Sequence, residues 1–137
     1  MNWQVSDLES SRKLKELGVM QDSIFYWNFT KPGYEDGTTN PYLEFHNKIP
    51  QARMGKTYEL TSAFTCAELG VALPRTVEGD KFRCFKQSSR WELVYGVEHI
   101  VHGETEAQAR SKMLIYLLEN KLTTVEEVNA RLLGVGK

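Results

Sequence analysis

The sequence feature that most constrains the fold is an amphipathic segment at residues 105–122. Apolar side chains recur there at spacings of three and four, which predicts a helix with one broad buried face. Thr105 and Gln108 form a predicted capping box, and Asn120 is the predicted left-handed C-cap. The predicted buried stripe comprises Ala107, Arg110, Met113, Leu114, Tyr116, Leu117 and Leu118. A stripe of this size needs a large apolar partner, and a sheet is the obvious one.

Composition is that of an ordinary globular protein. The chain has 137 residues, 41% hydrophobic and 26% charged, and is expected to form one domain, 1–137, around a core that needs no disulfide or metal. Its net charge of −1 provides no overall attraction to nucleic acid or to an acidic membrane. Cys66 and Cys84 fit no CxxC pattern, so two free thiols in a reducing compartment are favoured over a disulfide.

The N-terminal segment carries charged residues from Asp7 onward, which interrupt any signal-peptide core. No segment approaches the roughly 20 apolar residues of a membrane span. We therefore expect a cytoplasmic protein that does not enter a membrane.

The first half of the chain predicts one helix and a long hairpin. Ser6 and Glu9 match a capping box, and Gly18 follows where a helix ends, so a helix is predicted at about 6–17. Residues 23–29 are dense in aromatic and β-branched types and predict a strand. A long loop at about 31–56 is expected to be mobile, and it contains the predicted returning strand Tyr42–Phe45.

The second half adds a short helix and a group of strands. Thr65 and Glu68 form a third capping box, which predicts a helix that ends at about Leu73. Strands are predicted at 82–87 and 91–95. Gly96 then starts either a tight type II′ turn into a further strand at about 98–102 or a bend within one continuous strand.

Thr124 and Glu127 form a fourth capping box, before a short helix that is expected to fold back on the end of the central helix. The complete order of helices and strands predicts an α+β fold. In this fold, an α/β sandwich, helices pack against a mainly antiparallel sheet.

Three groups of residues suggest chemistry. His99 and His102, with Glu98 or Glu104, are a candidate metal site, but residues three apart in a strand point to opposite faces. Cys66 adjoins a helix N-terminus, where a thiol can become nucleophilic, yet no histidine is tied to it by spacing. The carboxylates Glu98, Glu104 and Glu106 cluster before the central helix. In each case the structural interpretation is favoured, so no cofactor, metal or catalytic residue is predicted.

A basic, aromatic hairpin is the candidate nucleic-acid surface. Its basic residues are Arg75, Lys81, Arg83, Lys86 and Arg90. They are interleaved with Phe82, Phe85 and Trp91, a combination that suits phosphate contacts and base stacking. A solvated hairpin with a core-facing tryptophan is the competing interpretation.

Four aromatic residues around the long loop are the candidate surface for a protein partner: Tyr26, Trp27, Tyr34 and Tyr42. The same pattern is typical of a strand that packs on its own core. Large apolar groups on both faces of the 23–29 strand also suggest a possible homodimer through an edge or a face.

Two segments carry a resemblance to a known group of proteins. Residues 62–70, SAFTCAELG, are followed by Leu73-Pro74, and residues 104–120 read ETEAQARSKMLIYLLEN. Together with Leu14–Val19 and Phe25-Tyr26-Trp27, they resemble a family of small uncharacterised proteins encoded by phages and prophages. The resemblance implies a phage or prophage origin and synthesis in a bacterial cytoplasm. The family has no established activity, so it supplies no functional residues.

These observations support three functional hypotheses. The first is a phage accessory protein that binds a phage or host protein without catalysis. The second is a nucleic-acid-binding protein that uses the 75–91 hairpin. The third is a small enzyme centred on Cys66 or on the Glu98–Glu106 carboxylates.

Overall fold

The structure is a computed structural model that describes residues 5–23, 25–30, 42–45 and 58–134, with the backbone alone at 28–30, 42, 44–45 and 58–60. Its helices are α1 (Leu8–Glu16), α2 (Cys66–Ala72), α3 (Glu106–Glu119) and α4 (Val125–Leu133). Its strands are β1 (Phe25–Thr30), β2 (Tyr42–Phe45), β3 (Tyr58–Ala63), β4 (Thr76–Val77), β5 (Asp80–Gln87), β6 (Arg90–Tyr95) and β7 (His99–Gly103).

The strands form two antiparallel sheets, ordered β2-β1-β3 and β4-β5-β6-β7. Helix α3 packs on β6 and β7, α1 bridges α3 and β3, and α2 contacts both α3 and α4. The α+β class with antiparallel strands and packed helices is confirmed. None of the helices in the described part of the chain combines the length and apolar character needed to cross a membrane.

The central helix lies on the four-stranded sheet, as the apolar stripe predicts. Leu114 and Leu117 are 1% and 0% exposed and belong to the larger of two apolar clusters. Burial of each such side chain contributes roughly 1.5–3 kcal/mol. The smaller cluster, Val5, Trp27 and Ala63, lies beneath the three-stranded sheet and α1.

The ends of α3 differ in detail from the prediction. Thr105 is the N-cap and accepts from the Gln108 N–H at 3.0 Å, but the Gln108 side chain accepts from the N–H of Glu104 instead of Thr105. Asn120 has φ −93°, so the left-handed C-cap prediction is wrong. Lys121, at φ +58°, takes the left-handed conformation, and the Leu122 N–H then donates to the Leu117 carbonyl at 2.9 Å.

Close approach of α3 to β7 depends on Gly103. A Cβ atom at this position would lie 2.5 Å from the backbone nitrogen of Ala109 and 2.8 Å from its Cα. Buried small residues of α3, including Ala109 and Ser111, face this contact region or the neighbouring core. The predicted stripe did not include those two residues.

Helix α1 begins one residue later than its capping box predicts. The N-cap is Asp7, whose carboxylate accepts from the Ser10 N–H at 3.0 Å. Ser6 is unavailable because its hydroxyl accepts from the Phe64 N–H at 2.9 Å and bonds the Ser11 hydroxyl at 2.7 Å. The predicted stop at Gly18 is confirmed, with φ +97°.

The capping box of α2 is confirmed in both directions: the Glu68 N–H donates to the Thr65 hydroxyl at 3.2 Å, and the Thr65 N–H donates to the Glu68 carboxylate at 2.9 Å. Thr124 caps α4 in the predicted place. Helix α4 packs on α2, where Arg131 donates to the Ala72 carbonyl at 2.9 Å, so its main support is not the end of α3.

The strand predictions are confirmed for β1, β2, β5 and β6, whereas the sequence pattern does not predict β3 or β4. A separate β7 exists, so the bent continuous strand is wrong. Tyr95 pairs with His99, which leaves Gly96, Val97 and Glu98 as a three-residue loop rather than a type II′ turn. Strand β1 is paired on both sides, so it has no free edge for a second copy.

Candidate functional site

The structure describes the side chains of two of the four residues in the predicted aromatic partner surface, Tyr26 and Trp27. Tyr26 and Trp27 are each 8% exposed. The Trp27 indole donates to the Ser6 carbonyl at 2.8 Å, and the Tyr26 hydroxyl donates to the Gln21 carbonyl at 3.2 Å. These two side chains belong to the interior, so they offer little area to a partner. Tyr34, the Tyr42 side chain and most of the loop 31–56 lie outside the described residues.

The five basic residues of the predicted nucleic-acid surface, Arg75, Lys81, Arg83, Lys86 and Arg90, are all exposed. None of them forms an ion pair with another described residue. Burial alternates along β5, so its even-numbered residues Phe82 and Cys84 face the core and its odd-numbered residues face outward.

The outward side of the four-stranded sheet is not covered by α3. Strand register places two rows of side chains across it, with one residue each from β5, β6 and β7. The rows are Arg83–Val94–Ile100 and Phe85–Glu92–His102. We call this surface the outer face, and it also carries Lys81 and Arg90 by strand alternation.

Apolar side chains remain accessible on the outer face. Phe85 is 41% exposed and Ile100 is 47% exposed. Glu92 is the acidic member of the rows, and its carboxylate is 2.5 Å from Nε2 of His102. The outer face therefore combines an accessible aromatic ring with positive charges that form no ion pair with a described residue.

The two histidines of the metal hypothesis lie on opposite faces of the sheet. His102 bonds Glu92 on the outer face, whereas His99 is buried beneath α3. The His99 ring bonds the Tyr116 hydroxyl through Nδ1 and the Glu78 carboxylate through Nε2, both at 2.7 Å. No group of three potential metal ligands is present among the described residues.

A cleft of about 510 Å³ opens between the two sheets, where α2 and α3 begin. We call it the helix-start cleft. Phe25 of the first sheet and Trp91 of the second contribute its aromatic walls. Its polar lining includes Cys66, Glu104 and Glu106. Residues that are far apart in sequence thus meet in one concavity of the size that small ligands occupy, roughly 300–1,000 Å³.

Arg110 connects the first residues of α2 and α3 beside this cleft. Arg110 donates to the Glu106 carboxylate at 2.8 Å and to the Cys66 carbonyl at 3.1 Å. Its guanidinium lies 5.6 Å from the ring centroid of Phe82. Gly70 leaves the space for it, because a Cβ there would be 2.3 Å from an Arg110 nitrogen. The space beside Gly70 is therefore occupied by one specific side chain, that of Arg110.

The thiols near Arg110 are not activated. Burial raises the pKa of Cys66, and the nearby Glu106 carboxylate raises it further, with Arg110 acting in the opposite direction. Burial and Glu106 likewise raise the pKa of Cys84. Both cysteines are free thiols. A neutral thiol at physiological pH is a poor nucleophile, so this arrangement disfavours a Cys66-centred enzyme.

The predicted carboxylate cluster is divided. Glu98 lies in the loop before β7, and Glu104 and Glu106 follow that strand, so the strand's length of about 17 Å separates them. Glu104 and Glu106 meet at the helix-start cleft. A second groove of about 750 Å³ lies between α1 and α3, and charged residues such as Arg12, Lys13 and Lys112 dominate its lining.

Comparisons with known proteins identify no relative. No protein-family model, curated protein or solved structure matches the chain. The outer face and the helix-start cleft are therefore interpreted from their own chemistry.

Proposed function

We propose that this chain is a non-catalytic binding protein that holds single-stranded nucleic acid on its outer face. One observation carries the proposal: Arg83 and Phe85 lie two residues apart on the sheet face that α3 does not cover, and Phe85 is 41% exposed. Arginine contacts phosphate through several donors, and an exposed aromatic ring stacks on a base of any sequence.

Local charge supports this ligand even though the chain's net charge is −1. In the segment 75–90, five basic residues are opposed by Glu78 and Asp80 alone. Glu92 is the acidic residue of the two rows, and its carboxylate is hydrogen-bonded to the His102 ring. The five basic side chains form no ion pair with a described residue, so phosphate binding breaks none of the described ion pairs.

The shape of the outer face favours a single strand over a duplex. Sequence reading in a duplex uses a helix or a narrow ribbon inserted in a groove. A broad sheet with one exposed ring instead suits bases that are already unstacked.

The proposal is tested by fluorescence anisotropy with labelled dT15, dA15 and a matched duplex at low and moderate salt. We expect the single strands to bind more tightly, with log affinity falling against log salt at a slope of about −2 for three phosphate contacts. Arg83→Glu should abolish the binding. Lys112→Glu makes the same charge change on the exposed side of α3 and should preserve it. Absence of binding at low salt would reject the proposal.

A protein partner is the second candidate, and the accessible Phe85 and Ile100 favour it. Apolar groups at 41% and 47% exposure within a basic rim suit an acidic partner with an apolar centre. Affinity capture with wild-type and Phe85→Asp chains distinguishes the candidates. A protein captured by the wild-type chain but not by Phe85→Asp would favour a protein ligand, provided that the wild-type chain binds no oligonucleotide.

The phage or prophage origin is part of this proposal and is supported by the sequence resemblance alone. The corresponding location is the bacterial cytoplasm. A coding gene flanked by phage replication or packaging genes would support this origin, whereas a gene among housekeeping operons in many hosts would count against it.

A further inference from the structure

The helix-start cleft lies beside the tip of the basic hairpin. Trp91, one of its walls, pairs across the strands with Lys86 on one side and Gly103 on the other. Lys86 is exposed, and Arg90 precedes Trp91 at the start of β6. Strand alternation places Lys86 and Trp91 on the inner side of the sheet and Arg90 on the outer face. A strand bound to the outer face therefore reaches the cleft by passing over the hairpin tip, past Arg90 and Lys86.

The lining of the cleft specifies a planar ligand with hydrogen-bond donors. Phe25 and Trp91 supply aromatic surface from two different sheets. Glu104 and Glu106 supply carboxylates, and no lysine or arginine appears among the described lining residues. An ionised carboxylate only accepts hydrogen bonds, so the edge of the ligand must donate them.

Among nucleobases, guanine fits this requirement best. Its N1–H and exocyclic amino group are adjacent donors, and a carboxylate presents two oxygens to such a pair. Uracil and thymine have one ring N–H between two acceptors, and adenine and cytosine place an acceptor beside the amino group. A volume of about 510 Å³ lies within the usual range for small ligands.

We propose that the helix-start cleft is a binding pocket for one unstacked guanine base, read by the carboxylate of Glu104 or Glu106. When the base belongs to a strand, this inference rests on the proposed nucleic-acid function. The pocket itself can also bind free guanosine, so the two proposals can be tested separately.

The first test compares three labelled oligonucleotides by anisotropy: dT12, dT12 with one central guanine, and the same strand with hypoxanthine in that position. Hypoxanthine keeps the N1–H and lacks the amino group. We expect the guanine strand to bind about 10-fold more tightly than dT12, with the hypoxanthine strand between them.

Variants assign the preference to the cleft. Glu104→Gln and Glu106→Gln should each be tested, and at least one should remove the guanine preference while dT12 affinity stays constant. Glu106→Gln removes the ion pair with Arg110, which can disturb the fold of that variant. Glu104 is exposed, so Glu104→Gln keeps the fold. Glu98→Gln, beyond the far end of β7, is the matched control and should keep the preference.

Calorimetric titration with free guanosine, inosine and uridine completes the test. Equal affinity for all three oligonucleotides and no heat with guanosine would reject the guanine pocket and leave the hairpin proposal intact. Guanosine binding without oligonucleotide binding would support the pocket and reject the strand. If no ligand binds, both proposals fail.

Discussion

The two faces of the four-stranded sheet differ sharply although they are built from the same strands. On the inner face, Leu93 and Tyr95 are fully buried against α3 and its neighbours. On the outer face, Phe85 and Ile100 stay accessible among exposed basic residues. Burial of apolar area makes the inner face the main source of stability, whereas substitutions on the outer face are tolerated.

This contrast separates two requirements within one hairpin. Residues of β5 and β6 that point inward must match the shape of α3, so their size is constrained. Exposed residues that point outward, such as Phe85 and Ile100, are free of that constraint, whereas Val94 of the same face is buried. Stability measurements and binding measurements should therefore respond to different residues of the same strands.

The largest expected effect is at the centre of the inner face. Leu93→Ala should lower the free energy of unfolding by about 2–5 kcal/mol, because it leaves a cavity in a closely packed cluster. Ile100→Ala removes comparable bulk from the outer face and should change it by about 0.5 kcal/mol or less. Urea unfolding followed by circular dichroism measures both. Similar midpoints for the two variants would contradict the contrast.

A slightly smaller effect is expected where β7 meets α3. Gly103→Ala places a methyl group 2.5 Å from the Ala109 nitrogen and should destabilise the fold by about 1–3 kcal/mol. Gly134→Ala is the matched control, since nothing lies within 4 Å of a Cβ there. Thermal unfolding of the two variants measures the difference, and an unchanged midpoint for Gly103→Ala would show that the helix shifts freely.

The next expected effect is a difference in stability between substitutions of two arginines, Arg110 and Arg83. Arg110→Gln removes a guanidinium that binds Glu106 and the Cys66 carbonyl, and should destabilise the chain by about 1.5–3 kcal/mol. Arg83→Gln on the outer face should leave stability within about 0.5 kcal/mol. Urea unfolding of both proteins at the same pH measures this, and equal losses would mean that the outer face also supports the fold.

Alkaline pH should lower the free energy of unfolding, because Tyr95 is buried on the inner face. Burial raises the pKa of Tyr95 above its ordinary value of 10.0. The unfolded chain therefore loses this proton first, so the contribution is complete below about pH 10 and declines above it, by up to about 1.4 kcal/mol per pH unit. The raised pKa values of Cys66 and Cys84 act in the same direction from pH 9.0 upward.

Urea midpoints from pH 8 to 11 measure this decline. The Tyr95→Phe variant should show a shallower decline of the urea midpoint above pH 10. Because the variant also removes the 2.5 Å bond from the Tyr95 hydroxyl to the Pro74 carbonyl, it should be less stable at pH 8. If the urea midpoints of the two proteins decline in parallel with pH, the Tyr95 phenol ionises in the folded chain as readily as in the unfolded chain.

The smallest stability effect should follow neutralisation of the outer face. Lys81→Gln and Arg90→Gln should each change the free energy of unfolding by no more than about 0.5 kcal/mol. The same proteins should bind dT15 several-fold more weakly at low salt. Substitutions that reduce stability and binding together would mean that the binding loss reports unfolding.

The sequence predicts most of the helices because their signals are local. Thr65, Thr105 and Thr124 each cap a helix within a few residues of the apolar positions that follow. Ser6 shows the limit of this reasoning: its hydroxyl is taken by Phe64, which is 58 residues away. A competing tertiary bond moves the cap to Asp7, and no local pattern contains that information.

Strand pairing and the cleft depend on distant contacts in the same way. Strand β4 has only two residues, too few to show a period, and β3 carries mixed polar and apolar types. The hairpin's basic residues are apparent from the sequence because they all lie within the short segment 75–90. The helix-start cleft combines residues near positions 25, 66, 91 and 106, so only the fold brings them together.

One contact of α4 affects how the chain acquires this fold during synthesis. Asn129 accepts from the Met20 N–H at 2.8 Å and donates to the Gly18 carbonyl at 3.1 Å, joining segments more than 100 residues apart. The turn after the first helix cannot gain these bonds until residue 129 has left the ribosome. Such distant closure slows folding, so the Met20 N–H and the Gly18 carbonyl lack this partner through most of translation, while the local bonds of the turn can already form.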